Sequence, residues 1–290
     1  MMLQTVLASL QYLYGASLGL SFLGEPLLHV GDPGVATVSL FGRTVLRGYG
    51  TFLHPNIFAA YALFGIFLSL LYRKTRPLFF SFAVFFLTLG VILSFSRMAF
   101  MALIVLFFFS YSHVQLRLSA RKIGLFFLGV LGVVAVCFIS GLSYVFMERF
   151  QFTDLTSLQF RYANFVDGIK LFLHMPFGTG LGRSTALMQS ISPLKYAPWQ
   201  YQPAHNLLLV VSDELGVLGL ILYIIGIIFL VRFLYHRRKT HPFHVAAGVS
   251  FLCLSLSDHY FFTLYHGQIL MTLFLSFLAL AAQESSPSSH

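Results

Sequence analysis

Arg97, Arg161 and His205 are the side chains of this sequence whose types can do chemistry without a metal. Arginine grips phosphate oxygens through a planar fork and keeps its charge in a dry site. Histidine exchanges a proton near neutral pH. Together they suggest displacement of a phosphate-type leaving group. The arginines would stabilise the developing charge, and the histidine would deprotonate the attacking hydroxyl. Each residue also has a plainer reading. Arg97, in Ser94-Phe95-Ser96-Arg97-Met98, lies between two apolar runs. There it either snorkels from a helix end or serves a site at the membrane edge. Arg161 either joins that site, snorkels from the polar face of its helix, or pairs with Asp154 or Asp167. His205 is either a base or an ordinary satisfied polar residue at the start of an apolar run.

The neighbouring motifs narrow the chemistry. Gly178-Thr179-Gly180-Leu181-Gly182 alternates glycines and reads as a tight turn at the membrane surface, with Arg183 available as a further anion contact. It is not G-x-G-x-x-G, which excludes dinucleotide binding. There is no H-E-x-x-H, no C-x-x-C and no close carboxylate pair in the loops around these residues, so no metal site is expected. Asp213 and Glu214 are adjacent and would point to different helix faces. No G-x-S-x-G elbow is present. Tyr196, Trp199 and Tyr201 are either interfacial anchors or stacking surfaces for sugar rings.

The elements that must position these residues are apolar. Charged residues make up 9% of the 290 residues, against about 25% in a soluble domain. That excludes an ordinary soluble globule, a disordered chain and a disulfide scaffold. Cys137 and Cys253 both lie in apolar runs and read as small core residues. A span needs about 20 apolar residues. Eight segments are candidates: 2–24, 55–72, 78–96, 98–113, 123–147, 206–231, 243–257 and 264–282. The fold class expected is an all-α polytopic membrane protein of about eight spans, with a single membrane domain over 1–282. A long loop occupies 148–205, its stretch 158–174 patterned as an amphipathic surface helix ending before Pro176. A disordered tail follows over 283–290.

The net charge of +9 reads as topology rather than nucleic-acid binding. Arg73, Lys74, Arg76, Arg117, Arg121, Lys122, Arg232, Arg237, Arg238 and Lys239 occupy three short loops without acids. Those loops should face the cytoplasm, and an even number of spans then puts both termini there. Arg43, Arg47, Arg97, Arg149, Arg161, Lys170, Arg183 and Lys195 fall on the opposite face, against that bias.

The order of motifs resembles the O-antigen ligase and O-antigen polymerase superfamily of bacterial envelope proteins. The resemblance rests on L-R-G-Y-G-T-F-L-H-P-N-I-F-A-A-Y (46–61), S-F-S-R-M-A-F (94–100), F-R-Y-A-N-F-V-D-G-I-K-L-F-L-H-M-P-F-G-T-G-L-G (160–182) and H-N-L-L-L-V-V-S-D-E-L-G-V-L-G-L (205–220). It implies a multi-pass bacterial inner-membrane enzyme with a GT-C-like helical fold. The donor would be a polyprenyl-pyrophosphate-linked glycan, and the acceptor a glycan or lipid-linked sugar hydroxyl. No metal or cofactor would take part. Arg97 and Arg161 would hold the donor pyrophosphate and His205 would act as base. Arg47, His54 and Asn56 match an early motif without an assigned role. Glu214 would orient His205 or Asn206. Members usually have about a dozen spans, so the chain looks shortened at its N-terminus. Two other classes compete: a transporter for a small bicarbonate-like anion, and an inactive truncated or accessory subunit.

Overall fold

The computed structural model describes residues 1–40, 42–113, 155–192, 201–238 and 240–283. The segment 123–147, expected as a span, lies outside them. So do Arg117, Arg121, Lys122, Arg149, Lys195, Tyr196, Trp199, Lys239 and nearly all of the 283–290 tail. The described chain is mostly helical. Among the described residues there is one two-stranded antiparallel hairpin, Thr37–Leu40 (β1) with Arg43–Leu46 (β2).

Helix α1 runs Met2–Tyr14. Its 13 residues rise about 20 Å, short of the roughly 30 Å of a hydrocarbon core. The apolar segment 2–24 is therefore not one continuous span. Gly15 caps the helix in the left-handed region. Buried Glu25 then folds the chain back by accepting from Gln11 Nε2 and from the backbone N–H groups of Leu18 and Leu20. The parity count that set both termini on one face loses this span.

Three helices follow: α2 (Pro55–Leu71), α3 (Pro77–Leu93) and α4 (Arg97–His113). Proline stands at the first helical position of α2 and α3, where its missing N–H costs nothing. After the undescribed segment come α5 (Leu155–His174), α6 (Ser184–Ile191), α7 (Leu207–Arg237), α8 (Pro242–Ser255), the single turn α9 (Tyr260–Thr263) and α10 (Tyr265–Gln283). Helix α5 ends just before Pro176, where the sequence pattern ends it.

Helix α2 is central. Ala59, Ala60 and Ala62 are fully buried, and their small side chains let α3, α4, α8 and α10 close around it. Phe64 meets Phe274 of α10 at 4.7 Å between ring centroids, and Phe251 of α8 meets Phe274 at 5.5 Å. Among the described residues α7 is long and apolar enough to cross a membrane. Its exposed Leu218, Leu222 and Phe229 face outward from the bundle. Helices α2, α3, α4, α8 and α10 carry shorter apolar stretches. This composition and helical layout are consistent with a membrane protein.

One end of the bundle gathers the N-termini of α2, α4, α7 and α10 with the C-termini of α3 and α8. The other end carries the 73–76 connection, with Arg73, Lys74 and Arg76, and the end of α7 at Arg237 and Arg238.

Candidate active site

The site grows from the first turn of α2. His54 is its N-cap: Nδ1 accepts from the Asn56 backbone N–H at 3.1 Å. That frees the Asn56 side chain, whose orientation is fixed by its partners. Arg47 carries only donors, so the Asn56 Oδ1 accepts from it at 2.8 Å. Asn56 Nδ2 then donates to Asp258 Oδ2 at 2.8 Å, across 202 residues. Buried Arg47 also donates through Nε to the Ser94 carbonyl at 2.6 Å. One guanidinium thus ties the α2 entry to the α3–α4 turn, and one amide ties both to Asp258.

Asp258 lies between α8 and α9 and is buried. Its Oδ1 accepts from the His259 backbone N–H at 2.9 Å and from His205 Nδ1 at 3.3 Å. Burial pushes this carboxyl up, but the His205 hydrogen bond and the nearby histidines outweigh it and hold it well below the usual carboxylate range. An ionised Asp258 only accepts, so His205 carries its proton on Nδ1. The Nε2 lone pair of His205 is then free to take another proton. Asn206 secures the same junction: its Oδ1 caps α7 through the Leu209 N–H, and its Nδ2 donates to the Leu256 carbonyl.

His259 stands beside His205, rings 5.2 Å apart, with Nε2 3.9 Å from Asp258 Oδ1. Burial drives its pKa down to about 4, with the charge of Arg161 contributing and Asp258 opposing. Arg161, on α5, is therefore within electrostatic reach of the cluster. Burial first, and Arg47 second, bring His54 down to about 3. Arg97 opens α4, three residues beyond the Ser94 carbonyl that Arg47 grips, and is half-buried. Phe95 in that turn takes a positive φ of 49°, a conformation costly for a bulky residue.

Two expected residues stand elsewhere. Arg183 is exposed at the N-terminus of α6. Glu214 does not orient His205 or Asn206: its carboxylate accepts from Gly182 N–H and Ser184 Oγ, both at 2.8 Å. The reason is a strap. The segment Pro176–Gly180 lies along a break in α7, where Gly216 adopts φ 67°. Thr179 N–H and Gly180 N–H donate to the carbonyls of Asp213 and Glu214, and Val217 N–H donates to that of Pro176. The strap replaces the helical bonds that the break removes. It needs glycine at 178, where φ is 91° and a Cβ would lie 2.6 Å from the Glu214 carbonyl oxygen. Asp213 is fully buried on α7, and neither carboxylate oxygen finds a hydrogen bond among the described residues.

The sequence reading assigned no role to Asp258 and His259. Their signal was present: an Asp-His pair interrupting two apolar runs, where ionisable groups are costly without a function. Arg47, His54 and Asn56, which carried no role there, are the bridge that holds Asp258.

Residues 82–224 match the family model described as O-antigen ligase, and the match supports membership of the O-antigen ligase superfamily. The stretch includes Arg97, Arg161, His205 and the strap. The Arg47–Asn56 motif and the Asp258 turn lie outside it. Comparison with curated proteins finds no match.

Proposed function

We propose that this chain transfers a glycan from a polyprenyl-pyrophosphate donor to a sugar hydroxyl at the extracytoplasmic face of a bacterial inner membrane. The O-antigen ligase match supports a membrane glycosyltransferase-type role. The observation that carries the finer reading is the His205–Asp258 pair, backed by Asn56 and Arg47, beside the turn that opens on Arg97. His205 Nε2 takes the proton of the acceptor hydroxyl. The acceptor oxygen bonds to the anomeric carbon as that carbon's bond to the phosphate oxygen breaks. The polyprenyl pyrophosphate leaves with the bonding pair, its charge balanced by Arg97 and Arg161. A single displacement of this kind inverts the anomeric centre. Asp258 is a positioning residue, acting only through His205.

The apolar helices, with the segment 123–147, would cross the membrane as one domain, the loops at 73–76, 113–122 and 232–241 facing the cytoplasm. A lipid-borne donor suits this arrangement, since its pyrophosphate travels at the depth of helix ends. Ligase and polymerase roles share the chemistry and differ in acceptor. The small-anion transport reading gains no support from the family match.

The test is transfer of a lipid-linked glycan in proteoliposomes containing EDTA. Alanine at Arg97 and at Arg161 should each lower turnover by about 10²-fold or more, the worth of a charge-stabilising donor at a leaving group. Turnover undiminished in both variants would overturn the assignment, and turnover abolished by EDTA alone would overturn the metal-free chemistry.

A further inference from the structure

His259 has a polar neighbour at each ring nitrogen. Its Nδ1 lies 2.7 Å from Thr263 Oγ1. The Thr263 hydroxyl also lies 3.2 Å from the His259 carbonyl. With that hydroxyl turned to the carbonyl, Thr263 Oγ1 accepts from His259 Nδ1–H. In that tautomer the Nε2 lone pair faces Asp258 Oδ1 at 3.9 Å, two acceptors side by side. Such a pair is what a cation bridges. The third donor is His205 Nδ1, 3.3 Å from the same oxygen. All three ligand atoms lie within 4.8 Å of one another. Metal bonds of about 2.0–2.1 Å in a tetrahedral site put neighbouring donors roughly 3.4 Å apart, so small side-chain shifts close the site. Two imidazoles and one carboxylate suit Zn²⁺ or Co²⁺. Thr263 supplies the outer hydrogen bond that such a histidine usually has.

We propose that His205, Asp258 and His259 form a site for a divalent transition-metal ion that switches glycan transfer off. The switching half rests on the proposed role of His205 as base. A neutral imidazole that gives its Nδ1 lone pair to a metal must carry its proton on Nε2. The Nε2 that would deprotonate the acceptor is then already protonated, and Asp258 is drawn from orienting the base to ligating the ion. Metal binding and base catalysis exclude one another at the same ring. The nearby positive charge of Arg161 opposes the ion, so the site binds reversibly rather than as a structural zinc.

The experiment uses tag-free protein in detergent and in proteoliposomes, with Co²⁺ and Zn²⁺ as probes. Co²⁺ should give visible absorption of tetrahedral intensity, and His259→Gln should weaken its binding by more than about tenfold. Saturating Zn²⁺ should cut wild-type transfer by about 10²-fold, the worth of a positioned base, and EDTA should restore it. His259→Gln should keep its transfer in the same Zn²⁺. Equal Co²⁺ spectra, or equal Zn²⁺ inhibition, in wild type and variant would overturn the proposal. His259-dependent Co²⁺ binding in a protein without transfer upholds the site and sinks the glycosyltransfer reading. Transfer without Co²⁺ binding does the reverse.

Discussion

Asp258→Asn isolates the role of the carboxylate with the least change in shape. The amide keeps the volume but only one acceptor oxygen, so it serves either Asn56 Nδ2 or the His259 N–H, which use different oxygens of Asp258. What disappears is the charge that fixes the His205 proton on Nδ1. A hydrogen bond to a charged group contributes about 1.5–3 kcal/mol. At 1.36 kcal/mol per decade that corresponds to about a 10- to 150-fold loss in turnover. The 3.3 Å separation is long for such a bond and points to the lower half of that range, unless substrate binding shortens it. The assay is steady-state transfer in proteoliposomes, with KM for donor and acceptor measured separately across pH 6–9. The loss should fall on kcat, with little change in either KM, because Asp258 touches neither substrate. A change in KM alone, or an unchanged kcat with an unchanged pH profile, would refute the reasoning. His205→Ala combined with Asp258→Asn should be no slower than His205→Ala, since the carboxylate acts only through the imidazole.

Acid should destabilise the fold before it protonates Asp258. His259 and His54 are lowered from 6.5 to about 4 and about 3. The unfolded chain binds protons there below about pH 6.5 while the folded chain resists. Stability therefore falls as pH drops from 6.5 toward 4, by up to about 1.4 kcal/mol per pH unit for each histidine. Asp258, held below its ordinary range, keeps its contribution through that window and loses it only at lower pH. Thermal midpoints in detergent at pH 7.5, 6.0 and 5.0 should drop steadily, and His54→Asn, which keeps the cap, should flatten the slope. A flat wild-type profile would contradict this. Gly178→Ala should lower the midpoint sharply, because its Cβ meets the Glu214 carbonyl. Gly182→Ala should cost only about 1 kcal/mol of backbone strain, since nothing lies within 4 Å of its Cβ. Equal effects would remove the strap as the cause. Arg47→Lys should lower both the midpoint and kcat, since a lysine has no fork to hold Ser94 and Asn56 together; wild-type values in both would count against the bridge.

Local features were legible in the sequence. Pro55 after His54 marks the start of α2, and Pro176 follows the end of α5, because proline acts within a residue or two of itself. The three glycines of 178–182 announced a tight turn. What it turns against, the Gly216 break in α7, depends on a contact made more than 30 residues away, and the apolar pattern of α7 runs through the break unchanged. The first apolar run hid its interruption for a related reason: Gly15 and the Glu25 fold-back are surrounded by residues apolar enough to resemble one span. In the site, Arg97, Arg161 and His205 stood out because arginine and histidine are conspicuous at apolar boundaries. Asp258 did not, because its meaning lies in partners 53 and 202 residues distant. Glu214 lies two turns beyond His205 in sequence, which suggested a partnership; the strap claims it instead.

The most direct measurement is turnover by the His205→Ala chain, in proteoliposomes with a polyprenyl-pyrophosphate-linked glycan, a sugar acceptor and EDTA, beside its thermal midpoint. A fall of about 10²- to 10⁴-fold, the worth of a general base, with the midpoint within a few degrees of wild type, is the expected result. Turnover equal to wild type, in a chain equally well folded, would contradict it.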